Sequence, residues 1–597
     1  MRVLFFHPEK YLNYGIPAGI SILSAIIKKH GHTVELFDTT FLKVADDQHV
    51  LTEDDASSNT TAGDQSLPEI DFADESLLGK QIKGLFKETA YSMNDLVKDD
   101  PYVKVVNVLQ SKIDSFKPDI IAISTMTTTF DYAVELLSQV NYQAKVIVGG
   151  VHPTIATDDC LDQGVIDIAC VGEADESFPE LLNLMDQGLD YTQVKGMHFK
   201  VAGKPYIHNE VAPRVDLNTL PTPDWGLFDS RHLFRPFDGE IYQGSFYAQA
   251  RGCPMQCTYC VDPTIAEVTG GRSNYFRYQK PEVTYKQLSE LKEKFNATWF
   301  KFVDDTFLMP PIEHLEELRD LIKPLDLKFG CSVMPNTIKE NKVKLAVEMG
   351  CVAMSVGIES GNAGIRKSIM RRYKNEDVVS RLRMVQDYGV RVSTFNIIGF
   401  PGETRENAFE TIELNRQIGS GAANVYVLYP YPGTPIAIDH NIPLRDENGK
   451  IASVDMGPKL GFSEMSENEL LGIRSTFNAY MMLPKSLYPI IKIAEEQSDR
   501  GSRVLQLMNH LTVASLSETV LPMAVIGDIV NVHFRTVSGY NRGIQVPKLF
   551  TLILNLSLSE IEFNQVVEAL VNTYDPNSTW QEEVLEPESK LIIASTS

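Results

Sequence analysis

Positive charge is scarce in this chain. Its 597 residues hold 55 Lys and Arg against 79 Asp and Glu, a formal net charge of −24. Such a surface repels phosphate backbones and anionic bilayers, and no Lys/Arg cluster interrupts it, so no nucleic-acid partner is expected. Long hydrophobic runs are also lacking. The opening "MRVLFFHPEK" has too short an apolar run for a signal peptide, and no small-residue cleavage site follows it. The most apolar later stretch, 511–534, is broken by Glu518, Pro522 and Asp528, which argues for buried helix and against a membrane span. A cytoplasmic protein is expected. Cysteine is sparse as well: seven residues, an odd number without a secretory signal, argue against a disulfide framework and leave metal ligation or reactive thiols.

What is present has the length of several domains. Across 1–190, short β-branched runs at 2–6, 32–38, 119–125, 144–150 and 166–172 alternate with amphipathic stretches such as "IPAGISILSAIIKKHG" and "TFDYAVELLSQV". That alternation predicts a parallel sheet covered on both faces, a doubly wound α/β domain of flavodoxin type that binds ligands at the carboxyl ends of its strands. An insertion at about 43–100 interrupts it; residues 46–75 carry ten Asp/Glu and no Lys or Arg, the composition of a solvated segment. A linker region, 191–243, holds a hairpin around "GMHFKVAGKPYIHNE". From 244 to 460 a second series begins, with strands at 246–250, 297–305, 328–334, 351–360, 391–400 and 423–433 separated by helical patterns. Six strand–helix units predict a partial (β/α)6 barrel with its site on the loops leaving the strand carboxyl ends. Residues 461–597 read as a mainly helical C-terminal domain.

Three of the cysteines, Cys253, Cys257 and Cys260, stand in "RGCPMQCTYC" just after the first strand of this second series. A structural zinc site normally takes four ligands, often as two pairs, and no second pair lies nearby. A redox disulfide between Cys257 and Cys260 would leave Cys253 unexplained, and core packing fits poorly with a loop flanked by Gly252, Pro254 and Gln256. Three thiolates on one tight loop can grip three irons of a cubic 4Fe–4S cluster and leave the fourth open. Cys160, Cys170, Cys331 and Cys351 are expected as buried fillers.

The spacing C-x3-C-x-aromatic-C, with Tyr259 as the aromatic residue, resembles the signature of the radical S-adenosylmethionine (SAM) enzymes over roughly 245–435. The resemblance implies that the open iron chelates the methionyl amine and carboxylate of SAM and delivers an electron that yields a 5′-deoxyadenosyl radical. It further implies SAM contacts from Tyr259, from Asp304 in "FVDDTF" toward the amine, and from Ser332 in "GCSVM" and Glu359 in "GIESGN" toward ribose and carboxylate. "IIGFPGET" (397–404) would lie near the adenine, and a donor such as flavodoxin or ferredoxin would supply the electron.

The preceding domain resembles that of the branch of this family that binds cobalamin (B12). "STM" at 124–126 occupies the place of a Ser-x-Leu turn, which implies a role for Ser124, and "VGGVHPT" followed by "VGEADESFPELL" resembles its Gly-Gly and Gly-Glu turns. Gly149 and Gly150 would let the backbone approach the nucleotide tail. The Asp-x-His-x-x-Gly motif that supplies a cobalt-binding histidine in many cobalamin domains is missing; its place reads "HPEKYLNYG", with His7 at the strand end. These likenesses imply a cobalamin-dependent methyltransferase acting on an unactivated carbon of a small-molecule substrate. An oxidative cyclase or ring-rearranging enzyme of tetrapyrrole type is the alternative, and a non-catalytic cobalamin or iron–sulfur sensor is the alternative of another class. Tyr426, Tyr429 and Tyr431, near the end of the last barrel strand, are candidates for substrate contact.

Overall fold

The computed structural model describes residues 1–9, 15–42, 102–237, 240–451 and most of 461–505. The acidic insertion, the apolar stretch 511–534 and most of the C-terminal segment lie outside the described residues. Among the described residues no helix is long and apolar enough to cross a membrane.

The first sheet contains β1 (Arg2–His7), β2 (Thr33–Asp38), β3 (Ile120–Thr125), β4 (Lys145–Gly150), β5 (Ile168–Cys170) and β6 (Met197–Phe199) in the order β2-β1-β3-β4-β5-β6. The first five are parallel, and β6, drawn from the stretch expected as a linker, closes the edge antiparallel to β5. Alternation along the strands produces both faces. Val3, Phe5, Ile120 and Ala122 join one buried cluster with Ile20 and Ile27 of helix Ala18–Lys29. Leu4, Phe6, Ile121 and Ile123 join the other with Leu109, Ile113, Phe130 and Leu137. The chain order reverses between β1 and β3, so a ligand crevice is expected beyond their carboxyl ends.

The second sheet draws on β7 (Phe234–Phe237), β8 (Glu240–Tyr247), β11 (Trp299–Phe302), β12 (Lys328–Val333), β13 (Cys351–Glu359), β14 (Arg391–Ile398) and β15 (Ala422–Val427); the short β9 (Ala250–Arg251) and β10 (Arg277–Tyr278) pair separately. From β8 to β15 six strands run parallel, with β7 antiparallel at one edge. The sheet does not close on itself, which gives a partial barrel. Phe300, Phe302, Phe329, Cys331, Val333, Met354 and Val356 turn outward against Leu315, Leu318 and Val343 of the surrounding helices. Intervening residues face the concave side. The free edge of β15 is covered by helix Glu467–Met482: Asn478 Oδ1 accepts from Ala423 N at 3.0 Å and Asn478 Nδ2 donates to Ala423 O at 3.0 Å.

Candidate functional site

The carboxyl ends of both sheets meet at the cysteine loop. Gly252, at φ +82°, turns the chain after β9, where a Cβ would stand 2.6 Å from Tyr275 O. Cys253 and Cys260 are half-buried, Cys257 is buried, and none is in a disulfide. A bond from Cys260 N to Cys257 O at 3.1 Å folds the loop back. Burial lifts the Cys253 thiol to about 12 and raises Cys257 and Cys260 as well, so metal binding must displace protons from all three. Among the described residues no three His, Cys, Asp or Glu donors converge on a single metal ion. Thiols spread along one loop suit separate irons of a cluster better than one tetrahedral ion.

Tyr259 and Glu359 come together through a residue that no sequence pattern singled out. Arg371 Nη2 donates to Glu359 Oε1 at 2.8 Å and to the Tyr259 hydroxyl at 2.8 Å, while Nη1 reaches Gly357 O at 3.2 Å. Glu359 and Arg371 are buried, Tyr259 is half-buried, and the group borders Cys257. Glu359 ends β13 at φ +67°, a left-handed conformation that turns its side chain back toward this loop and costs a non-glycine residue of order 1–3 kcal/mol.

Asp304 lies at the carboxyl end of β11, buried. Its Oδ1 accepts from Gln249 N at 2.9 Å and Ala250 N at 2.8 Å, which fixes the approach of the chain to the cysteine loop. Burial outweighs those bonds and pushes its carboxyl up to about 7. Asp304 Oδ2, both polar atoms of the Gln249 amide and Thr306 Oγ1 are buried without a hydrogen-bond partner. Such a cluster of orphaned acceptors and donors fits a polar, cationic ligand group. On the other side of the loop Asp262 accepts from the Tyr275 hydroxyl at 2.7 Å and from Cys260 Sγ at 3.9 Å; Asp305, exposed at the edge beside Asp262 and Asp304, is pushed up to about 7 by desolvation and their charges. Sequence reasoning missed Arg371, Asp262, Asp305 and Tyr275. The run of two aspartates at 304–305 was the one available signal.

Ser332 stands apart from this group. It is half-buried and aligns with Ser355 of β13, which aligns with Ser393 of β14, inside the barrel. The "IIGFPGET" turn is built around Glu403, whose Oε2 accepts from Gly399 N and Phe400 N while Oε1 is buried and unpartnered. Tyr426 lies beside Phe395 at 6.4 Å, and Tyr429 and Tyr431 meet edge to face at 4.9 Å. The other cysteines, Cys160, Cys170, Cys331 and Cys351, are buried.

In the first domain, Ser124 pairs with Gly149 and Thr125 with Gly150 in the β3–β4 register. Gly150, at φ +109°, has Thr125 O where a Cβ would stand at 2.4 Å; Gly149 has no heavy atom nearer than Cys170 Cβ at 3.8 Å. Close strand approach therefore requires Gly150, and the space above Gly149 is open. At the switch point His7 Nδ1 and Thr125 Oγ1 are buried and unpartnered, and Met126 is 50% exposed. An apolar side chain presented beside orphaned polar atoms suits a large mixed-polarity ligand.

The sequence model described as the radical SAM superfamily matches residues 248–414, and that described as the B12 binding domain matches 79–182. The chain carries a radical SAM region and a B12-binding region. It is 26% identical over 416 residues to an uncharacterized methyltransferase, PH0819, of Pyrococcus horikoshii, covering 66% of this chain and 87% of the relative. It is 24% identical over 405 residues to a bacteriochlorophyllide d C-12(1)-methyltransferase of Chlorobaculum tepidum, covering 66% and 80%. Its fold resembles that of the cobalamin-dependent SAM radical enzyme OxsB, solved with aqua-cobalamin and SAM, with a TM-score of 0.55 at 15% identity over 100% of this chain and 84% of that one.

Proposed function

We propose that this enzyme methylates an unactivated carbon of a small molecule held between its two α/β domains. Cys253, Cys257 and Cys260 hold a 4Fe–4S cluster. Asp304 receives the amine of SAM, Tyr259 and Glu359 line its ribose and carboxylate side with Arg371 behind them, and Ser332 lies deeper on the same wall. Ser124, Gly149 and Gly150 border cobalamin. When bound, the cluster with SAM supplies a hydrogen-abstracting carbon radical and cobalamin supplies the methyl group. The chain's own work is placement and dryness: Arg371 neutralises Glu359 in a buried site, and Asp304 keeps the loop and the amine pocket in register.

The observation that carries this reading is the bidentate pair of Arg251 with Asp175, at 2.7 and 2.9 Å. It ties the residue two places before Cys253 to the strand-end turn of the B12-binding domain, which supports a single site between the two. The test is anaerobic reconstitution with iron, sulfide, SAM and cobalamin, followed by analysis of both SAM products. S-adenosylhomocysteine together with 5′-deoxyadenosine supports methyl transfer. 5′-Deoxyadenosine alone points to the cyclase or rearrangement chemistry, and absence of Cys257-dependent SAM cleavage points to a sensor.

A further inference from the structure

The concave face of the barrel sheet contains a lysine without an acidic partner. Lys301 lies on β11 between Phe300 and Phe302, whose rings turn outward into the helix-covered core. Its side chain therefore points into the lumen. The amine reaches across β12 to Ser355 Oγ on β13 at 3.2 Å, and Ser393 Oγ on β14 donates to the same oxygen at 3.0 Å. The side chain crosses over Gly330, the β12 residue aligned with Lys301, where an added Cβ would stand in ordinary contact with Lys301 Cδ at 3.5 Å.

Register places Ser332, Ser355 and Ser393 in one row across three strands. Nearer the barrel mouth, Phe395 aligns with Asn424, whose amide nitrogen is buried and unpartnered, and Tyr426 stands next to Phe395. The lumen thus has a floor of hydroxyls and one ammonium, an orphaned amide donor above it, and two aromatic walls. Among the described residues Lys301 makes no ion pair, and the ionisable groups that act on its charge are the Cys331 and Cys351 thiols. Lys301 is half-buried, and desolvation lowers its amine below the ordinary lysine value with no carboxylate to offset it, so its charged form is costly until an anion arrives. In a chain with 79 carboxylates, leaving this cation unpaired is a position kept open for something else.

We propose that this floor is an oxyanion subsite that takes a carboxylate or phosphate group of the substrate, with Lys301 as its charge. Ser355 lies four residues below Glu359 on β13, about 13 Å at the rise of a strand. An anion at the floor would anchor one end of a substrate whose other end reaches the cysteine loop. The assignment rests on the reading of this chain as an enzyme acting on a small molecule.

The test follows thermal unfolding of the full-length reconstituted protein during titration with inorganic phosphate or succinate, against chloride at equal ionic strength. The subsite requires a saturable rise of about 2–4 °C in the wild type, its loss in Lys301→Met and its return in Lys301→Arg. Phosphate and succinate arms distinguish the two forms of the anion. Acylation of Lys301 by acetic anhydride, read by mass spectrometry in the wild type and slowed by the effective anion, gives the same answer without any variant. No saturable shift, a shift that persists in Lys301→Met, or unprotected acylation overturns the proposal. So does abolition of the shift by saturating SAM, because the site would then serve the methionyl carboxylate. Formation of 5′-deoxyadenosine by the wild type is scored separately. A protein that cleaves SAM but shows no Lys301-dependent anion effect sinks the subsite alone, and the converse sinks the enzymatic reading alone.

Discussion

Replacing Gly150 with alanine separates two roles that adjacent glycines share in the sequence. Gly150 sits at φ +109° and ψ −161°, a region open essentially to glycine, and forcing alanine there costs of order 1–3 kcal/mol. The new Cβ would also stand 2.4 Å from Thr125 O and 3.2 Å from Thr125 N, so β3 and β4 must part at their carboxyl ends. Relief of an overlap of that kind adds roughly 1–3 kcal/mol. Gly150→Ala should therefore destabilise the first domain by about 4 kcal/mol. Gly149→Ala meets only Cys170 Cβ at 3.8 Å, an ordinary contact, and should change stability by less than about 1 kcal/mol. If the nucleotide tail of cobalamin occupies the space above Gly149, the same methyl group should weaken cobalamin binding at least about tenfold, or about 1.4 kcal/mol. Denaturant unfolding of the cobalamin-free protein measures the first quantity and absorbance titration with cobalamin measures the second. Equal stability of the two variants, or full stability of Gly150→Ala, would refute the strain argument; unchanged cobalamin affinity in Gly149→Ala would remove the tail from this turn.

Cys257→Ser should lose most reconstituted iron and all SAM cleavage while the protein stays folded, checked by iron content, electron paramagnetic resonance and circular dichroism. Arg371→Met strands the buried Glu359 carboxylate and should cost about 3–5 kcal/mol in unfolding, whereas Tyr259→Phe, which removes one acceptor, should cost about 1 kcal/mol. Burial holds Asp304 at about 7 in the folded protein, above its ordinary value, so its contribution is intact below pH 4 and is lost as pH rises through 7. Asp304→Asn, neutral throughout, should match the wild type in melting near pH 4 and exceed it by up to about 4 kcal/mol at pH 8; a gap that shrinks as pH rises contradicts this.

The two sheets were legible because short apolar runs end at Gly and Asp turns: Arg2–His7 is a continuous buried run, as a sheet covered on both faces requires, and Arg391–Ile398 alternates with a period of two. The cysteine loop was legible because its three cysteines are close in sequence. What escaped depends on distance in the chain. Arg371 lies 12 residues beyond Glu359 and 112 beyond Tyr259, in a segment with no pattern of its own. The difference between Gly149 and Gly150 is one of dihedral angle, which a Gly-Gly pair conceals. The strand Met197–Phe199 falls in the stretch read as a hairpin, and Phe199 does pair with Ile207; what the sequence concealed is its edge pairing with β5, which joins that stretch to the first sheet. Ser332 was recognised as polar at a strand end, but its alignment with Ser355 and Ser393 depends on register, and that is set by neighbouring strands rather than by its own.

The junction between the domains explains why one chain carries both. Radical chemistry and methyl delivery at a single carbon tolerate little relative displacement, since an ångström of misplacement is expensive in rate. The structure resists that displacement with buried, directional bonds at several points. Ile16 N donates to Ser245 Oγ at 2.8 Å, joining the loop after β1 to β8. His232 Nε2 meets Asp38 Oδ2 at 2.7 Å, at the carboxyl end of β2. Arg445, which follows the barrel, spans Asp131 at 3.0 Å and Asp159 at 2.7 Å on the far side of the first domain. The Arg251–Asp175 pair differs from these because Arg251 also pairs through β9 with β10 and leads directly into Gly252 and Cys253. Asp175→Asn should therefore leave iron content intact and change how the cluster responds to cobalamin: its electron paramagnetic resonance signal, perturbed by added cobalamin in the wild type, should lose that sensitivity in the variant. Loss of iron instead would make Asp175 a support for the cysteine loop alone, and the idea of one site held across two domains would fail at its central bond.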